Sequence, residues 1–85
     1  MPQLSRFYGI VILMFFNDHA PPHFHARYAG HQGRFALDGT KIDGDLPRRA
    51  ENLITDWVSL HGDELATCWE RAVRNETPGT IDPLP

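Results

Sequence analysis

The chain has 85 residues, is 41% hydrophobic and 22% charged, and carries a net charge of −3 with its histidines neutral. That is the size of one small domain, and the composition excludes wholesale disorder. The negative balance speaks against a protein that coats DNA, and a lone cysteine, Cys68, excludes an internal disulfide and a cysteine-rich zinc site.

In chain order, Met1 to Ser5 reads as a lead-in. Phe7 to Phe16 is apolar on both faces and rich in β-branched and aromatic residues, which predicts a strand covered on both sides. Asn17 to Pro22 is the turn out of it, since its two prolines cannot donate ladder bonds. His23 to Tyr28 is the second strand. A glycine-containing reversal follows, at Ala29–His31 or at Gly30–Gly33. Arg34 to Leu37 is the third strand, and Lys41 to Gly44 is a candidate edge strand. Asp45 is placed to cap a helix, with Pro47 in its first turn.

Apolar residues then recur with a helical period at Ala50, Leu53, Ile54, Trp57, Val58 and Leu60, and again at Leu65, Cys68, Trp69, Ala72 and Val73. One helix from Arg48 to Arg74 would be about 40 Å long, so a break is expected at Gly62–Asp63, with Asp63 recapping. The stretch 77–85, with three prolines, reads as a loose tail after a compact domain over 1–76. The expected fold is α+β. A small antiparallel meander of three to four strands precedes one long or two C-terminal helices packed on one sheet face. The doubly apolar first strand suggests a homodimer or a small cognate partner protein. With no membrane span and no signal core visible, and a free thiol, the chain reads as cytoplasmic.

The chemistry concentrates between Asn17 and Tyr28, where three of the five histidines stand with an Asp, an Arg and a Tyr. On a strand, His23, His25 and Arg27 leave one face together. Two uses compete. As acid–base groups, His23 or His25 would exchange protons on an RNA phosphodiester while Arg27, Arg34 or Arg6 held the phosphate. Tyr8 or Tyr28 would donate a proton or stack on a base. As ligands, His19, His23 and His25 would hold a metal, with His19 or Asp18 closing the set, although no HExxH helix or cysteine pair supports it. Arg48–Arg49 at a helix start would grip an anion. His61 is better read as a hydrogen-bonded helix histidine, and Trp57 and Trp69 as core. No cofactor is expected.

Several motifs then combine: Ser5 to Ile12; Phe16-Asn17-Asp18-His19; Pro21-Pro22-His23-Phe24-His25-Ala26; Gly44 to Ala50; Trp57 to His61; Asp63-Glu64-Leu65; and Trp69. Together, from about Leu4 to Ala72, they resemble a small bacterial family catalogued as domain of unknown function 4160. The resemblance implies a cytoplasmic protein whose gene lies beside that of another small domain, an arrangement that looks like a toxin–antitoxin pair. It carries over no catalytic residue. Leu13 stands where relatives often have a basic residue. Gly62 stands where they often have Lys or Arg in a continuous helical pattern, so the resemblance leaves open one long or gently bent helix in place of the break.

The leading expectation is a component of such a two-gene module. As a toxin it would be a metal-independent RNase using His23, His25 and Arg27, with Asp18, His19, Tyr28, Arg34, Arg48 and Arg49 as binding residues. The alternatives are an interaction module that binds its partner through the same stripe, and a metal-binding protein using His19, His23 and His25.

Overall fold

Five strands precede a single helix in the computed structural model, which describes residues 2–16 and 18–85. Met1 and Asn17, the first residues of the expected lead-in and turn, lie outside the described residues. The strands are β1 (Gln3–Phe7), β2 (Ile10–Leu13), β3 (His23–Tyr28), β4 (His31–Ala36) and β5 (Lys41–Gly44), and the helix is α1 (Arg48–Val73). They form one antiparallel sheet in sequence order. The α+β architecture is as expected, but the sheet has five strands rather than three or four.

The additional strand arises because the apolar run does not stay extended. Tyr8 and Gly9 take φ of 50° and 82°, the backbone of a two-residue type I′ hairpin turn. Phe7 therefore pairs with Ile10; β1 takes only Phe7 from the apolar run and is otherwise Gln3–Arg6, most of it from the stretch expected as a lead-in. Ala29 and Gly30 repeat the device at φ of 48° and 84°, so Tyr28 pairs with His31 and β4 starts three residues before its expected position.

Paired residues share a face. Ile12, Ala26 and Gly33 lie in one inward row, and Phe24 opposite Phe35 in the next. Against them α1 lays Ala50, Ile54, Trp57, Val58, Leu65, Cys68 and Ala72. Trp57 is central, with its ring 5.4 Å from Phe7 and 5.9 Å from Phe24. Each large side chain buried here contributes about 1.5–3 kcal/mol. Burial also pushes the Cys68 thiol upward, which keeps it a packing group.

The helix bends at His61, where φ is −130° and ψ is 24°, one residue before the expected break, and then continues to Val73. His61 takes the stripe position between Trp57 and Leu65. Leu60, expected in the core, falls off the stripe and is 59% exposed. His61 Nδ1 meets Glu64 Oε1 at 2.6 Å, which makes it the hydrogen-bonded helix histidine expected. Asp45 does not cap: the N-cap is Pro47, without a side-chain bond, and Asp45 instead faces His31 at 3.6 Å.

The stretch 77–85 runs back along the sheet. Ile81 N–H donates to Leu4 O at 2.8 Å, Trp57 Nε1–H donates to Asp82 O at 2.9 Å, and Ile81 is buried. The expectation of a loose tail gives way to a docked one. Among the described residues no helix is long and apolar enough to cross a membrane.

Candidate metal centre

The alternation of β3 decides which groups meet. Phe24 and Ala26 point inward and are fully buried. His23, His25 and Arg27 have the opposite parity; His25 and Arg27 lie on the face that α1 does not cover, while His23, at the start of β3, is buried beside Trp69. His25 pairs across the sheet with Leu13 on one side and Arg34 on the other. The rings of His23 and His25 are 5.1 Å apart. Phe15 lies edge-on to His25 at 4.2 Å, and Trp69, from the distal half of α1, lies 5.4 Å from His23.

Asp18, on the loop before β3, reaches both rings. Its Oδ2 is 3.0 Å from His23 Nε2 and 3.3 Å from His25 Nε2. Its Oδ1 accepts the His19 backbone N–H at 2.9 Å, which holds the loop. The carboxyl is thus used on both sides, with one oxygen for structure and one for the histidines. Burial alone would raise its pKa. The His19 N–H, the His25 hydrogen bond and the fields of His23 and His19 outweigh that and keep it below the usual carboxylate value. Burial also holds the His25 imidazole below the ordinary histidine value, despite the opposing pull of Asp18.

His23 is the most constrained of the three. Its side chain is 1% exposed. Its Nδ1 lies 2.7 Å from Pro21 O. A carbonyl only accepts, so Nδ1 carries the hydrogen and Nε2 is turned toward the carboxylate. Nε2 nevertheless has no hydrogen-bond partner, because Asp18 Oδ2 approaches it out of line. An unsatisfied buried polar atom costs about 1–3 kcal/mol. The off-axis contact has a simple geometric meaning. Ligands of one cation point at a common centre, as His23 Nε2 could, whereas His25 Nε2 hydrogen-bonds Asp18 Oδ2 at 3.3 Å and would exchange that bond for the ion. Bonds of about 2.0–2.2 Å place neighbouring ligand atoms roughly 3.0–3.5 Å apart. The ligand atoms of Asp18, His23 and His25 all lie within 4.8 Å of one another. The Nδ1 bond to a backbone carbonyl is the outer-shell contact that orients a ligating imidazole.

The other expected residues separate. His19 is 81% exposed, and its Nδ1 lies 3.2 Å from Asp18 Oδ1, with its ring 6.2 Å from that of His23; the group that completes the histidine pair is Asp18. Arg27 follows on the same face and is exposed. Arg34 stands beside His25, with its Nε and Nη2 donating to Asp43 Oδ2 at 3.0 and 2.6 Å. Tyr28 alternates inward and packs against the core. Arg48 and Arg49 are exposed at the start of α1, behind the sheet.

A depression of about 160 Å³ opens beside His25, between Gln32, Arg34 and Asp43. A larger one, of about 300 Å³, lies one step along, between Gly9, Arg27, Tyr28 and Gln32. Trp69 and the Pro21 carbonyl were not foreseeable as parts of the site. Helical periodicity marks Trp69 as apolar but does not say which strand end it meets.

Among known proteins, the family model described as Domain of unknown function (DUF4160) matches residues 9–70. No curated protein and no solved structure matches the chain.

Proposed function

The chain belongs to the DUF4160 family, and from that premise and the geometry of its site we propose that it binds a divalent transition-metal cation through Asp18, His23 and His25. The observation that carries this is His23 Nε2: buried, unpartnered, and set 3.0 Å from a carboxylate oxygen at which it does not point. A cation on the lone-pair axes of both imidazoles would satisfy it. It would also balance the Asp18 charge.

Two imidazoles and one carboxylate form a borderline set, suited to zinc, iron, cobalt or nickel and poorly matched to calcium or magnesium. Three protein ligands leave coordination positions for water or substrate. The bound ion would therefore be a Lewis acid at the edge of the open sheet face, where His25 is 23% exposed. Within the toxin–antitoxin-like module that the family resemblance suggests, this replaces metal-independent acid–base work by both histidines. A histidine with Nδ1 tied to a carbonyl and Nε2 buried has no path to a substrate proton. His25 keeps one, and it is the group to test if the metal reading fails.

The test is titration of metal-free protein with Zn²⁺ and Co²⁺ by calorimetry and by cobalt d–d absorption. One ion per chain is expected. His23→Ala and Asp18→Asn should each weaken binding by about a hundredfold or more, since even outer-shell changes cost 10–100-fold, while His19→Ala leaves it unchanged. Affinity should fall as pH is lowered, because ligating imidazoles must shed their protons. Equal binding by wild type and His23→Ala would overturn the proposal.

A further inference from the structure

The sheet face beside the proposed metal centre carries a second signal. Register puts Arg6, Val11, Arg27 and Gln32 in one row, and Leu13, His25, Arg34 and Asp43 in the next. Both rows lie on the face that α1 leaves uncovered. Gln32 lines both depressions, so the two are neighbours and together trace one groove. It starts at His25, passes Arg34 and ends between Arg27 and Gly9.

Charge is distributed unevenly across the sheet. Glu51, Asp56, Asp63, Glu64 and Glu70 all lie on α1, behind the sheet. The groove face instead shows Arg6, Arg27 and Arg34 against Asp43 and Asp18, while α1 sets those five acids against Arg48, Arg49 and Arg71, in a chain whose net charge is −3. Arg34 is held in place by Asp43, which takes two of its five N–H donors and leaves the others for an anion. Guanidinium groups are suited to phosphate. His25 and Arg27 are two residues apart on one strand, about 7 Å along the groove, a step comparable to the spacing of successive phosphates in an extended strand.

The geometry points to an unpaired nucleic-acid strand as the ligand of this groove. Arg34 and Arg27 grip successive backbone phosphates, Arg6 flanks them, and one phosphate lies within reach of the ion at His25. The phosphate-gripping part stands on the arginine rows alone; the metal-proximal part rests on the metal reading above. Contact is to the backbone, so sequence preference is weak and the 2′-hydroxyl is not needed for binding.

The experiment is fluorescence anisotropy of the full chain with 5′-labelled oligouridylate, oligothymidylate and a duplex, across a salt series, in EDTA and then with Zn²⁺. The two single strands should bind within a few-fold of each other and more tightly than the duplex. The slope of log K against log salt should be about −2, from three phosphate contacts at roughly 0.7 each. Arg27→Gln and Arg34→Ala should each weaken binding and reduce the slope by about 0.7. The double substitution Arg48→Ala/Arg49→Ala, behind the sheet, should change neither. Arg27→Gln leaves the Arg34–Asp43 contact between β4 and β5 in place, so it reports on the groove even if Arg34→Ala disturbs β5. Zn²⁺ should tighten binding to wild type and not to His23→Ala. An Arg27→Gln curve superimposable on wild type, or a preference for the duplex, overturns the groove whatever the metal does. Intact arginine dependence without any zinc effect overturns only the metal-proximal phosphate. A failure of zinc binding itself would show separately, in the calorimetry.

Discussion

Asp43 and Arg34 show how one contact reports on the outer face. The hydrogen bonds from Arg34, helped by its charge, hold the Asp43 carboxyl below the usual carboxylate value. The sign follows from linkage. A depressed folded pKa stabilises the fold above the unfolded value, near 3.9, and that contribution is lost as pH falls through the folded value. Arg34→Ala should therefore raise the Asp43 pKa toward the ordinary value in a carboxyl ¹³C titration, and should flatten the fall in urea midpoint below about pH 4. An unmoved Asp43 titration would mean that the contact does not persist in solution. At this scale the sequence was legible where alternation decides the matter: His23, His25 and Arg27 do share a parity. It was illegible where a distant atom decides. Asp18 and His19 are neighbours with similar credentials, and only the loop's path, with Oδ1 held by the His19 N–H and Oδ2 facing the rings, selects Asp18. The enclosure of His23 by Pro21 O and Trp69 leaves no trace in local sequence.

The elements were legible by period and obscured at their reversals. The helical stripe, apart from Leu60 and Val73, and β3 stand where their patterns place them. The run from Phe7 to Phe16 hid a hairpin because hydrophobicity carries no record of φ, and a tyrosine is an uncommon occupant of a positive-φ turn position. Glycine positions make the same point testable. Gly44, at φ +113°, ends β5, and a Cβ there would collide with the Cα of Gly33 across the ladder. Both the conformation and the crowding oppose alanine, so Gly44→Ala should cost about 2–4 kcal/mol in urea unfolding. It should also loosen the Arg34–Asp43 pair that borders the groove. Gly62 is the opposite case, with nothing within 4 Å of an added Cβ, in a helix past the bend at His61. Gly62→Ala should stabilise by about 0.5–1 kcal/mol. A destabilised Gly62→Ala would show that the bend, rather than the residue's freedom, is what the helix needs there.

For the molecule as a whole, the two faces of the sheet have different tasks. The inner face is closed by α1 and by the stretch 77–85, and the outer face is left to the histidines and arginines. Composition alone suggested a loose end there, since prolines read as breakers. The stretch instead docks beside β1 through the Ile81–Leu4 backbone bond, with Pro78 fully buried and Ile81 at 4% exposure. The tail acts through its apolar side chains and its backbone, which distinguishes it from a surface tether. Trp57 donates to the carbonyl of Asp82, not to its carboxylate. Asp82→Ala should therefore leave stability within about 0.5 kcal/mol of wild type. Ile81→Ala, which empties a core position, should cost about 2–4 kcal/mol. Removing 77–85 should cost at least as much, because it strips the Trp57 indole of its acceptor and uncovers Leu4. Urea unfolding followed by Trp fluorescence reads all three. If Ile81→Ala and Asp82→Ala were equally silent, the tail would not be part of the core, and the inner face would need some other cover for Trp57.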